Sequence, residues 1–148
     1  MRWRFTDRVE RFEPWRAIET RKAVSLEEYS LLERFGREGA FPESLVLECC
    51  VEAARWLVAA SSGFDQAGVL EAVESFAFSG PAGMGDALEI KVALAGPAGQ
   101  PPLQLDCRVT AAGRTVAAGR IAVGLVPLAE GFDRDWVGGL WRELYAAP

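Results

Sequence analysis

Between Glu43 and about Ala60 the chain carries Leu45, Val46, Leu47, Cys49, Cys50, Val51, Ala53, Ala54, Trp56, Leu57 and Val58 with hardly a polar break. A helix that is apolar nearly all round has to be enclosed by other elements, so this one segment demands a fold that surrounds it. Pro42, immediately before, suits the first turn of such a helix. The polar interruptions are Glu48, Glu52 and Arg55. Their i, i+4, i+7 spacing puts them on one stripe. The run is too short and too interrupted to cross a bilayer.

Strands are available to do the enclosing. Val69 to Phe78 is apolar and aromatic, Leu88 to Leu94 alternates, Leu103 to Thr110 alternates, and Thr115 to Val126 closes the series. Period two is the mark of strands with one buried face. Gly80-Pro81, Gly85-Asp86, Gly96-Pro97-Ala98-Gly99 and Ala112-Gly113-Arg114 mark the turns, and Gly119 signals a bulge or a close backbone approach. Upstream, Thr6 to Phe12 and Arg16 to Ser25 flank Glu13-Pro14-Trp15 and read as a hairpin. Ser25-Leu26-Glu27-Glu28 resembles a capping box, predicting a short helix to about Glu33, and Arg34 to Phe41 reads as a loop. Phe132, Trp136, Leu140 and Leu144 fall at helical spacing, predicting a C-terminal amphipathic helix weakened by Gly138-Gly139. A long buried helix followed by an antiparallel meander predicts an α+β layer in which a sheet wraps a helix.

With 148 residues, half of them apolar, the chain is sized for one domain with a real core. We expect a single domain over 1–148, with its core at about 5–128 and the terminal helix at about 131–146. The net charge of −5 argues against nucleic acid, which requires a concentrated positive face. The start, Met1-Arg2-Trp3-Arg4-Phe5, lacks the apolar stretch of a signal peptide, so the expected location is the cytoplasm. Cys49, Cys50 and Cys107 show neither disulfide nor metal-ligand spacing and read as buried thiols. Neither a metal nor an organic cofactor is implied.

The stretch from Phe41 to Ala54, F-P-E-S-L-V-L-E-C-C-V-E-A-A, resembles the central helix of the 3-hydroxyacyl-[acyl carrier protein] dehydratases, the FabA/FabZ family, whose motif runs roughly M-P-G-V-L-I-L-E-A-L-A-Q-A-A. The likeness extends back without a gap. The family's H-F-P-G falls on Arg34-Phe35-Gly36-Arg37, its D-R-V on Asp7-Arg8-Val9, and its E-P-G-K on Glu13-Pro14-Trp15-Arg16. Forward, Phe78, Pro81, Gly85, Asp86 and Leu88 match a strand entry, and Gly113 to Ala118 matches the final strand. The resemblance implies a hotdog fold, a homodimer or heterodimer whose sheets join edge to edge, and an acyl chain in a tunnel between subunits. The thioester, on acyl carrier protein or coenzyme A, would lie near the start of the central helix.

Dehydration of a 3-hydroxyacyl thioester requires a base, an acid and an oxyanion donor. By position the family carboxylate is Glu48 and the family histidine is Arg34, and the chain contains no histidine at all. A guanidinium keeps its proton and has no acceptor, so it does not serve as the base. The family glycine whose amide faces the carbonyl becomes Glu43, which adds bulk and charge there and leaves Ser44 beside it. Glu48 is therefore either a surviving catalytic carboxylate or a member of the polar stripe paired with Arg55 or with Arg34 of a partner. Phe35, Phe76 and Phe78 line the tunnel on one reading and pack the core on another. The leading expectation is an acyl-thioester-binding, non-catalytic or partner-dependent dehydratase subunit. A thioesterase using Glu48 is the alternative, and a conventional dehydratase is the third reading. Arg37, Arg55, Arg114 and Arg120 are the cations available to an acidic carrier protein.

Overall fold

The computed structural model describes residues 5–25 and 40–145. The predicted capping box beyond Ser25, the short helix expected after it, Arg34, Phe35 and Arg37 lie outside the described residues. Two strands open the chain, β1 (Arg8–Glu13) and β2 (Ala17–Ala23), and the long helix α1 (Glu43–Ser61) follows. Four strands come next: β3 (Gln66–Phe78), β4 (Ala87–Leu94), β5 (Leu103–Ala111) and β6 (Arg114–Pro127). A 3₁₀ turn (Leu128–Glu130) then leads to α2 (Arg134–Leu144). All the pairings are antiparallel and the sheet order is β1-β2-β4-β5-β6-β3.

The apolar run dictates this arrangement. Val46, Cys49, Cys50, Val51, Ala53, Ala54, Leu57 and Val58 are all buried, and they meet the inward residues of every second strand position, among them Ile18, Leu88, Ile90, Val92, Leu105, Val109 and Ile121. The alternation is cleanest in β4 and β5, where buried and exposed positions succeed one another as a half-buried strand requires. Outward, the sheet carries paired charges such as Arg120 with Asp106 at 2.9 Å. Cys49, Cys50 and Cys107 form no disulfide, and all three are buried. Hydrogen bonding with the Cys107 thiol, followed by burial, pushes the Cys50 thiol well above its ordinary range.

Three local features differ from the sequence expectation or sharpen it. Pro42 is the N-cap of α1 rather than a first-turn residue, with φ −57° and ψ 140°, and its carbonyl accepts from Leu45 N and Val46 N. Gly119 is a close approach: a Cβ there would lie 2.6 Å from the Cα of Phe76, so β3 and β6 fit together only over a glycine. The terminal helix begins at Arg134, later than its apolar spacing suggested, because Asp133 caps it by accepting from Trp136 N at 2.9 Å. Gly138 and Gly139 lie inside this helix without breaking it.

Two anchors fasten α2 to the rest. At its start the Arg134 guanidinium donates to the Gly63 carbonyl at 2.8 Å and pairs with Asp65 at 3.4 Å. Towards its end Trp141 packs on Phe12 and on Trp56, with centroids 5.0 and 5.8 Å apart, and Tyr145 completes the cluster. The helix therefore lies across the outer flank of α1, held at both ends.

Candidate functional site

The stripe of Glu48, Glu52 and Arg55 on α1 is the polar seam of an otherwise apolar helix, and the structure treats its three members differently. Arg55 is exposed, while Glu48 and Glu52 are half-buried. Burial pushes the Glu52 carboxyl above the ordinary range. The Thr6 side chain, the Arg55 charge and the Phe5 backbone amide work in the opposite direction, and the Glu48 charge adds to the rise. Although Thr6 lies close enough to favour the charged form, neither Thr6 Oγ1 nor Glu52 Oε2 makes a hydrogen bond of normal geometry, and both atoms are buried. Burying that oxygen costs free energy, which Thr6, Arg55 and the Phe5 amide offset only in part.

Glu52 also faces space. Between α1, the start of β3 and α2 lies a cleft of about 270 Å³. Glu52, Arg55, Trp56 and Ala59 line it from α1, Ala67 and Gly68 from β3, and Phe132, Trp136, Val137 and Leu140 from the C-terminal segment, with Leu128 beneath. A Cβ at Gly68 would lie 2.9 Å from Val123 Cγ1 of β6 and 3.4 Å from Val58 Cγ2 of α1, so a side chain here would crowd the neighbouring strand first. The arrangement is an apolar hollow with one carboxyl of raised pKa and one exposed guanidinium, a combination typical of sites that bind or transform small molecules.

The residues singled out from the sequence are only partly brought together. Glu48 lies one turn before Glu52 and acts on its charge, but it does not line the cleft. Glu43 and Ser44 are exposed at the start of α1, where the first backbone amides of a helix have no intrahelical acceptor. Phe76 and Phe78 stack at 5.5 Å near the far end of β3, partly buried against the core. Neither lines the cleft. Arg114 is engaged by Asp86 and the Pro81 carbonyl, and Arg120 by Asp106. Glu52 and Trp136 line the cleft, although sequence reasoning read them as a member of the polar stripe and as a packing residue of the terminal helix. Glu52 was visible as the middle of the polar stripe, but its burial depends on Phe5, Thr6 and α2, which come from the two distant ends of the domain.

No protein-family model and no curated protein sequence matches the chain. Solved structures do. An acetyl-CoA-bound protein, smu.793 of Streptococcus mutans, superposes with a TM-score of 0.64 at 16% identity, covering 81% of this chain and 88% of that one. A hypothetical thioesterase of Streptococcus pneumoniae in complex with coenzyme A gives 0.62 at 17%, covering 80% and 84%. A hot-dog-like protein of Thermanaerovibrio acidaminovorans gives 0.65 at 16%, covering 92% and 96%. The chain has the hotdog fold. The hotdog sheet and its enclosed helix are thus what the sequence resemblance implied, and among these neighbours the activity named is thioester hydrolysis, not dehydration.

Proposed function

We propose that this hotdog protein hydrolyses acyl thioesters of coenzyme A, with Glu52 as the carboxylate that activates water. The observation that carries the reading is the half-buried Glu52 carboxyl on the lining of an apolar cleft, raised by burial above the ordinary carboxylate range. A carboxyl with a raised pKa is a better base than an ordinary carboxylate, because its conjugate acid is nearer in strength to the water it must deprotonate. In the reaction, Glu52 takes a proton from water, and the water oxygen bonds to the thioester carbonyl carbon. Collapse of the tetrahedral adduct breaks the C–S bond, and the departing thiolate takes up the proton. The coenzyme A complexes among the structural neighbours support the substrate class.

The oxyanion formed in the addition step needs a donor, and the free amides at the start of α1 suit it. Glu43 and Glu52 are nine positions apart on one helix, roughly 14 Å at the helical rise. That is too far for one carbonyl, so the donors facing Glu52 would come from a second copy. The sheet favours such a copy on one side only. Its β1 edge is blunted by Arg8, Glu10, Arg11 and Glu13, whereas the β3 edge leaves Val69 and Val73 over 40% exposed. We therefore place the dimer contact along β3.

The dehydratase-subunit reading retains its sequence support in the helix motif, but the chain has no histidine to offer as base. Hydrolysis of hexanoyl-CoA by wild type, Glu52→Gln and Glu48→Gln decides among the readings. Loss of about two to four orders of magnitude in kcat is expected for Glu52→Gln, and a small change for Glu48→Gln. The reverse ranking would move the role to Glu48. Equal rates in all three would remove the hydrolase reading.

A further inference from the structure

Resting on the hydrolase reading, we infer that α2 is the acyl-selecting wall of the site: the cleft it encloses accepts an aryl or medium-length alkyl acyl group and turns away long fatty chains. The terminal helix is anchored at Arg134 and again at Trp141, and the span between leaves the hollow beneath Trp136 and Leu140. An apolar cavity of about 150 Å³ is enough to hold benzene. The volume here, about 270 Å³, therefore takes a ring with some methylenes to spare. On its inner side the cleft is lined by Ala59, Leu128 and Val137, which form a small buried cluster of their own with Trp56, Phe64 and Ala67 packed against it. Among the described residues, a chain entering past the half-exposed rings of Phe132 and Trp136 meets this cluster. Glu52 marks the reacting end and the exposed Arg55 guanidinium stands at the rim, where an anionic group of the carrier can meet it. One carrier chemistry, the thioester of coenzyme A, with an apolar acyl group of restricted length, satisfies these features together.

The test is isothermal titration of unreactive thioethers, S-hexyl-, S-benzyl- and S-hexadecyl-coenzyme A, with coenzyme A as reference. Wild type is expected to bind the hexyl and benzyl thioethers at least tenfold more tightly than coenzyme A or the hexadecyl thioether. Leu140→Trp, which fills the cleft, should weaken the hexyl and benzyl thioethers tenfold or more and leave coenzyme A unchanged. Trp136→Ala, at an exposed position, should narrow the gap between hexyl and hexadecyl, and it carries the test if Leu140→Trp fails to fold. Absent binding of S-hexyl-coenzyme A to wild type, or a chain-length preference identical in wild type and folded variants, overturns the assignment. Binding that follows these variants in a protein that hydrolyses no thioester leaves the assignment standing and removes the hydrolase reading. Hydrolysis whose chain-length preference ignores both variants does the opposite.

Discussion

Trp141 stands edge-on to Phe12, their ring centroids 5.0 Å apart at 74°, so the last helix of the chain is held by its first strand. Trp56 and Tyr145 join the same cluster, and aromatic contacts of this geometry add to what burial alone gives. Trp141→Ala is expected to cost about 2 to 4 kcal/mol, somewhat less than truncating a fully buried large aromatic, because Trp141 is only partly buried. Hydrogen exchange should show the α2 amides losing protection well before those of β4 and β5. Uniform loss of protection across both would mean that α2 is not a separately held element.

The glycines of β6 divide by what lies opposite them. At Gly119 a Cβ would meet the Phe76 backbone, which has nowhere to go, whereas at Gly124 it would meet the end of the Glu71 side chain, which can swing aside. Gly119→Ala is therefore expected to destabilise by about 1 to 3 kcal/mol through overpacking, and Gly124→Ala by much less. Urea unfolding of the two variants beside wild type gives the ranking, and equal midpoints would show that β3 yields at Phe76.

Why the fold could be read from the sequence and the site only in part follows from the range of the signals. An apolar helix and period-two strands are local patterns, and the structure keeps the strands of β4, β5 and β6 to within one residue at either end of the segments that alternation marks. The start of α2 was missed by about three residues because Asp133, not the apolar spacing, decides it. Glu48 and Glu52 look alike in a helical stripe. What separates them is cover from Phe5 and Thr6 at one end of the domain and α2 at the other, and no local pattern encodes that contact.

A single charge on the β3 edge tests the assembly. Val73 is 43% exposed on the outermost strand, and an edge of this length with apolar residues is a ready template for a second chain. Wild type should sediment as a dimer, and Val73→Lys should shift it to monomer with an unchanged circular dichroism spectrum. Thioester hydrolysis should fall at least tenfold in the monomer, since Glu52 would then lack the helix start of the second copy. A wild-type monomer with full activity would refute the shared-site geometry.

Glu52 supplies the pH dependence. Its carboxyl is raised by burial, so the folded state binds its proton more tightly than the unfolded chain does. That contribution is fully present below the unfolded value, where the group is protonated in both states, and it is lost as pH rises through the raised folded value, because the native fold then carries a poorly solvated charge. Glu52→Gln should consequently melt a few degrees above wild type at pH 8, with the gap closing as pH falls below the ordinary carboxylate range. Activity should run the other way. In wild type kcat/KM rises with pH as Glu52 loses its proton, with a midpoint above that of an ordinary glutamate, and the residual activity of Glu52→Gln lacks this step. Scanning calorimetry across the pH series, paired with kcat/KM on hexanoyl-CoA, reads both effects from the same carboxyl. A variant no more stable than wild type at pH 8, or a wild-type rate flat across the titration, would detach Glu52 from the chemistry assigned to it.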